Sequence, residues 1–225
     1  MTRTEFLEAL DRLVSEKHLL KHPFYVLWSE GKLSREQLRE YAVSYYPHVA
    51  AFPRYVSAVH SHSNDPVLRQ ELLENLIEEE RGSENHPALW RRFAASVGAP
   101  SDLAAQPRTP EVAALVSCFL DTTGKGSVPE GLAALYAYES QIPEIARTKR
   151  EGLAAFYGIT DADAVRFFTV HEAADVWHRQ IEREALGRVA DGESDREKAL
   201  ASAGRCLDAL NAALDGILRE TPAAS

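Results

Sequence analysis

The stretch HEAADVWH, residues 171–178, sets His171, Asp175 and His178 at offsets 0, 4 and 7. At 100° per residue these positions lie at about 0°, 40° and −20° around a helix, which is one narrow stripe. Histidine and aspartate rarely enter a helix's buried face without partners, because an unpaired buried charge is destabilising. Val170, Ala174 and Trp177 are apolar and keep much of the same helix against a core. The segment therefore predicts a helix offering three metal-type ligands in one direction. A solvated stripe or a hydrogen-bonded His–Asp pair is the competing explanation.

Helical patterns spread from this point through the rest of the chain. TEFLEALDRLV (4–14) places Phe6, Leu7, Leu10, Leu13 and Val14 at amphipathic spacing. HPFYVLWSEGKL predicts a short helix opened by Pro23 and stopped near Gly31. Ser34 and Gln37 form a capping box for a long helix over 34–62, bent around Pro47 and Pro53. Asp65 and Pro66 start another that Gly98 and Pro100 close, and patterns resume at 110–122, 129–157 and 194–219. Thr160 and Asp163 are the expected caps of the helix carrying HEAADVWH. APSDLAAQPRTP is an ordinary inter-helix connection and marks no domain boundary. With no β-type alternation and no repeats, the chain predicts an all-α bundle of about seven helices, in one domain over residues 1–225.

The 225 residues are 45% hydrophobic and 26% charged, enough to bury a full core. A net charge of −9 argues against capture of nucleic acid or anionic lipid, and no apolar run reaches the roughly 20 residues needed to span a bilayer. Two cysteines, Cys118 and Cys206, are too few for a disulfide scaffold, and the opening residues lack the apolar core of a signal peptide. A cytoplasmic setting and small-molecule partners are expected, with no nucleic acid and no membrane.

Two further segments add candidate ligands. In IEEERGSENH, Glu79 and His86 are seven apart, two helical turns, although Pro87 pushes His86 away from helical geometry. Glu78, Glu80 and Glu84 read as a solvated acidic run. In LYAYESQIPE, Glu139 follows a dense aromatic and apolar stretch, its alternative being a surface carboxylate. Together Glu79, His86, Glu139, His171, Asp175 and His178 supply three carboxylates and three imidazoles. Three carboxylates would reduce the four positive charges of two ferrous ions to about one, and mixed His/carboxylate ligation with open positions suits dioxygen activation better than hydrolysis.

Glu-x6-His, a single Glu in the YAYES context, and His-x3-Asp-x2-His in that order resemble the haem-oxygenase-like di-iron oxidases. More closely, residues 5–215, including HPFYVLW, resemble the branch named for the chlamydial protein associating with death domains. The resemblance implies a haem-oxygenase-like fold, two transition-metal ions (Fe/Fe or Fe/Mn), dioxygen as co-substrate and an external reductant from an unidentified electron donor. It also implies that para-aminobenzoate for folate is made from the protein's own side chains in one turnover. Tyr25 matches the ring donor, Lys149 the amino donor, and Tyr41 and Tyr138 accessory tyrosines that relay an electron or radical. A homodimer is common in the fold.

Each of these residues also has an ordinary reading: Tyr25, Tyr41 and Tyr138 as core tyrosines with bonded hydroxyls, and Lys149, in the basic run RTKR, as a solvated side chain. His60 and His62 are split across a helix, His22 reads as a capping or packing residue, and His48, after Pro47, reads as a packing residue, with a place behind the metal ligands as the alternative. Cys118 invites comparison with thiaminase-like relatives that use a cysteine nucleophile, but its neighbours supply no base. Three rival functions remain: a conventional di-iron oxidase with an external substrate, ferritin-like iron handling, and a helical interaction protein. Ferritin-like iron handling lacks its Glu-x-x-His signature.

Overall fold

The computed structural model describes residues 1–220, except for the side chains of residues 173–178. Among these residues the chain is helical throughout, with no strand: α1 (Arg3–Glu16), α2 (Pro23–Ser29), α3 (Arg35–Ser44), α4 (Tyr46–His62), α5 (Pro66–Glu80), α6 (His86–Ser96), α7 (Pro110–Lys125), α8 (Val128–Glu139), α9 (Ile142–Tyr157), α10 (Arg166–Val189) and α11 (Glu193–Glu220). The all-α expectation holds, but there are eleven α-helices rather than about seven.

The difference has local causes. Pro47 has no N–H to continue α3, so the expected long helix divides at Tyr45 and restarts with Pro47 in the first turn of α4. Pro53, by contrast, stays inside α4. The acidic helix ends at Glu80; Gly82 adopts a positive φ, and Asn85 caps a new helix at the Ala88 amide. The stretch 129–157 divides at Ser140 and Gln141. Thr160 and Asp163 are not the caps of α10. Asp161 accepts instead from the Asp163 and Ala164 amides, both at 3.0 Å, and the helix begins at Arg166. The capping box at Ser34 and Gln37 forms as the sequence predicts.

α8 is the spine of the bundle. Leu132, Ala133, Ala134, Leu135 and Ala137 are all buried, and a helix apolar on every face has to sit inside. It packs against α11, α10, α7 and α4. Gly131 permits the close approach to α4, since a Cβ there would lie 2.7 Å from Val59 Cγ2. The C-terminus of α8 thereby delivers Glu139 to the region where α5, α6 and α10 converge. No described helix is long and apolar enough to cross a membrane.

Candidate metal centre

Glu79 lies buried in the last turn of α5, and His86 opens α6. Helical phase does not bring them together, because the chain leaves the helix at Arg81. The turn between the two helices does so, leaving His86 Nδ1 2.8 Å from Glu79 Oε1. His171, in the second turn of α10, has Nδ1 2.6 Å from the Phe167 carbonyl. A carbonyl can only accept, so Nδ1 is the donor, and a neutral ring held this way turns Nε2 to a metal, the arrangement by which proteins orient a metal-binding imidazole. The His86 and His171 rings sit 4.3 Å apart.

One ligand atom each from Glu79, His86 and His171 falls within 4.8 Å of the others, close enough to hold one ion. Glu139 lines the same small cavity, about 20 Å³, together with Asn75, Tyr138 and Phe52. Its Oε1 accepts from Asn75 Nδ2 at 3.0 Å, while Oε2 is buried without a hydrogen-bond partner. Buried polar atoms are nearly always satisfied, so this orphan beside a cavity of ion size fits a cation. The donors fit as well, because mixed imidazole and carboxylate ligation suits iron and manganese. Burial raises the Glu79 carboxyl above its ordinary range, with His86 offsetting part of the effect. Burial pulls His86 down, but attraction to Glu79 outweighs it and the net shift is upward.

Four of the six sequence-derived ligands are thus together. The side chains of Asp175 and His178 lie outside the described residues.

The four non-ligand candidates form an annex to this cavity. Tyr138 lines the cavity itself. Tyr25, on α2, and Tyr41, on α3, are fully buried with hydroxyls 3.5 Å apart. Lys149, on α9, is buried too and donates from Nζ to the Tyr41 hydroxyl at 2.5 Å. Its nitrogen is 4.9 Å from the Tyr41 ring, 5.4 Å from Tyr25, 5.5 Å from Trp90, 5.6 Å from Phe168 and 5.8 Å from Tyr45. The solvated reading of Lys149 is therefore wrong. Burial pushes its ammonium down to about 7, and burial raises the Tyr25, Tyr41 and Tyr138 phenols above their usual range.

Two neighbours, Asn75 and Tyr45, escaped the sequence reading, and a third, His48, was expected chiefly to pack. Asn75, four residues before Glu79 on the same helix face, orients Glu139. Tyr45, four after Tyr41, stacks on it at 5.3 Å. His48 lies 5.3 Å from Tyr45 and 4.9 Å from Tyr138, ring to ring, completing an aromatic run between cavity and annex. The i+4 spacing of the first two was the available signal.

Residues 39–211 match the family described as iron-containing redox enzymes. The chain is 45% identical to the 4-aminobenzoate synthase of Nitrosomonas europaea, over 96% of this chain and 92% of that protein. It is 41% identical to the 4-aminobenzoate synthase of Chlamydia trachomatis, over 95% and 92%. A TenA homolog from Pseudomonas syringae shares the fold, with a TM-score of 0.82 over 96% of this chain and 92% of that one at 19% identity. The chain belongs to the haem-oxygenase-like family of iron-containing redox enzymes.

Proposed function

We propose that this protein makes 4-aminobenzoate from its own side chains, in one oxygen-dependent turnover at a two-metal centre. Tyr25 gives the ring, Lys149 the amino nitrogen, and an external reductant primes the site. The observation that carries the reading is the pairing of Lys149 with Tyr41 inside an aromatic cage that includes Tyr25. A solvated lysine would need no such cage.

Glu79, His86, Glu139 and His171 would hold metal, with Asp175 and His178 as the further ligands. Iron, alone or with manganese, supplies there the power to oxidise a phenol with dioxygen as the final acceptor. Tyr138, at the cavity wall, is the first phenol in reach, and Tyr45, which hydrogen-bonds to Tyr138 and stacks on Tyr41, connects it to the Tyr41–Tyr25 pair. The Tyr41 hydroxyl holds the Lys149 nitrogen in place, and its contact with Tyr25 gives a phenolic proton a route out. The dry cage keeps the Lys149 amine in its neutral, reactive form to a far greater extent than water would.

A conventional oxidase of this fold would need a pocket of several hundred Å³ for its external substrate, and a cleft of about 630 Å³ lined by His86, Arg166 and Val170 offers one beside the centre. Exchange of Tyr25 for Phe separates the two readings. Metal binding should persist while 4-aminobenzoate disappears; undiminished product from Tyr25→Phe would refute an origin in that ring.

A further inference from the structure

Far from the Lys149 cage, α7 and α11 pack against each other and bring the two cysteines of the chain together. Cys118 Sγ lies 3.7 Å from Cys206 Sγ, although 88 residues separate them in sequence. Cys206 is fully buried, and its sulfur is 3.9 Å from Thr122 Oγ1. Cys118 is only partly buried. Nothing in the proposed 4-aminobenzoate chemistry uses this pair.

We propose that Cys118 and Cys206 are a dithiol–disulfide couple, oxidised by low-molecular-weight disulfides such as oxidised glutathione. The Cys118 thiolate attacks one sulfur of oxidised glutathione, forming a mixed disulfide and releasing one glutathione thiolate. Cys206 then attacks the Cys118 sulfur, closes the intramolecular bond and expels the second glutathione. The protein loses two hydrogens and two electrons, and one disulfide reagent becomes two thiols.

Geometry divides these roles. Only Cys118 is open to a reagent of this size, whereas Cys206 meets no partner sulfur except that of Cys118. A disulfide needs about 2.05 Å between sulfurs, so closure asks for about 1.7 Å of approach between two side chains already in contact. The ionisation tendencies point the same way. The contact with Cys206 favours the Cys118 thiolate, which falls to about 7, while the same contact and burial hold Cys206 in the thiol form. A thiolate near neutral pH is a good attacking group. The product would staple α7 directly to α11.

The test is intact-mass analysis and peptide mapping after incubation of the full chain with oxidised glutathione. The wild-type protein should become lighter by two hydrogens, yield a Cys118–Cys206 linked peptide, and return to the dithiol with dithiothreitol. Cys206→Ser, or Cys206→Ala if the serine variant does not fold, should stop at one glutathionyl group on Cys118. Cys118→Ser should remain unmodified. A wild-type protein that keeps both thiols, or that carries a glutathionyl group without forming the cross-link, overturns the proposal. The wild-type result decides even if both Cys206 variants misfold, and none of it depends on metal or on 4-aminobenzoate formation.

Discussion

Lys149 donates to the Tyr41 hydroxyl at 2.5 Å, and no carboxylate pairs with it among the described residues. A lysine buried among aromatic rings and a phenol has exchanged a hydrated charge for cation–π contacts and one hydrogen bond. That exchange is unfavourable unless the amine sheds its proton. Such a residue does not add to stability, and a buried lysine with so low a value is a candidate for chemistry.

Lys149→Met should therefore stabilise the protein. The folded-state value near 7 lies below the ordinary 10.5, so between the two the unfolded chain binds a proton that the folded chain lacks. Stability of the wild type then rises with pH across this window, and the burial penalty is complete below it. The gain from Lys149→Met should be on the order of a few kcal/mol at neutral pH and shrink as pH approaches 10. Urea unfolding across that range measures it. A gain independent of pH would show that the lysine is not a buried titrating group.

His48 predicts behaviour in acid. Among the described residues neither of its ring nitrogens has a hydrogen-bond partner, and burial lowers it to about 3 from an ordinary 6.5. As pH falls from 6.5 towards 3, the unfolded chain takes up a proton that the folded chain refuses, and stability is lost. His48→Leu should make the fall less steep in that interval. Parallel curves for variant and wild type would remove His48 from the account.

Asn75→Leu tests the support beneath Glu139. Removing the amide leaves Glu139 Oε1 without its 3.0 Å donor, which should destabilise the metal-free protein by about 1–3 kcal/mol. Loss of an orienting partner typically weakens metal binding about 10–100-fold. Thermal melts and iron titration read the two effects separately. Unchanged iron affinity would mean that Glu139 is not a ligand.

The helical class was legible because α1 carries apolar spacing and α3 and α5 carry their caps within single segments. Glu139 and His171 could be singled out as an acid and an imidazole set in apolar surroundings, whereas Glu79 was picked from an acidic run by its spacing to His86. The breaks were harder to see: Pro47 and the Asn85–Pro87 turn interrupt patterns that would otherwise run on, and the second of these, rather than helical phase, joins His86 to Glu79. Tyr25, Tyr41, Tyr138 and Lys149 entered only through family resemblance, because a buried tyrosine and a lysine in a basic run carry no local signal. The contact of His48 with Tyr138 and that between Cys118 and Cys206 depend on helices meeting in space, which spacing along one helix does not encode.

The most direct measurement is intact-mass analysis of the purified protein after aerobic incubation with ferrous iron, with and without manganese, and a reductant. The account predicts release of 4-aminobenzoate together with a loss of mass that maps to Tyr25 and a change at Lys149, neither occurring without metal or dioxygen. Release of 4-aminobenzoate from a chain whose Tyr25 and Lys149 remain intact would contradict it.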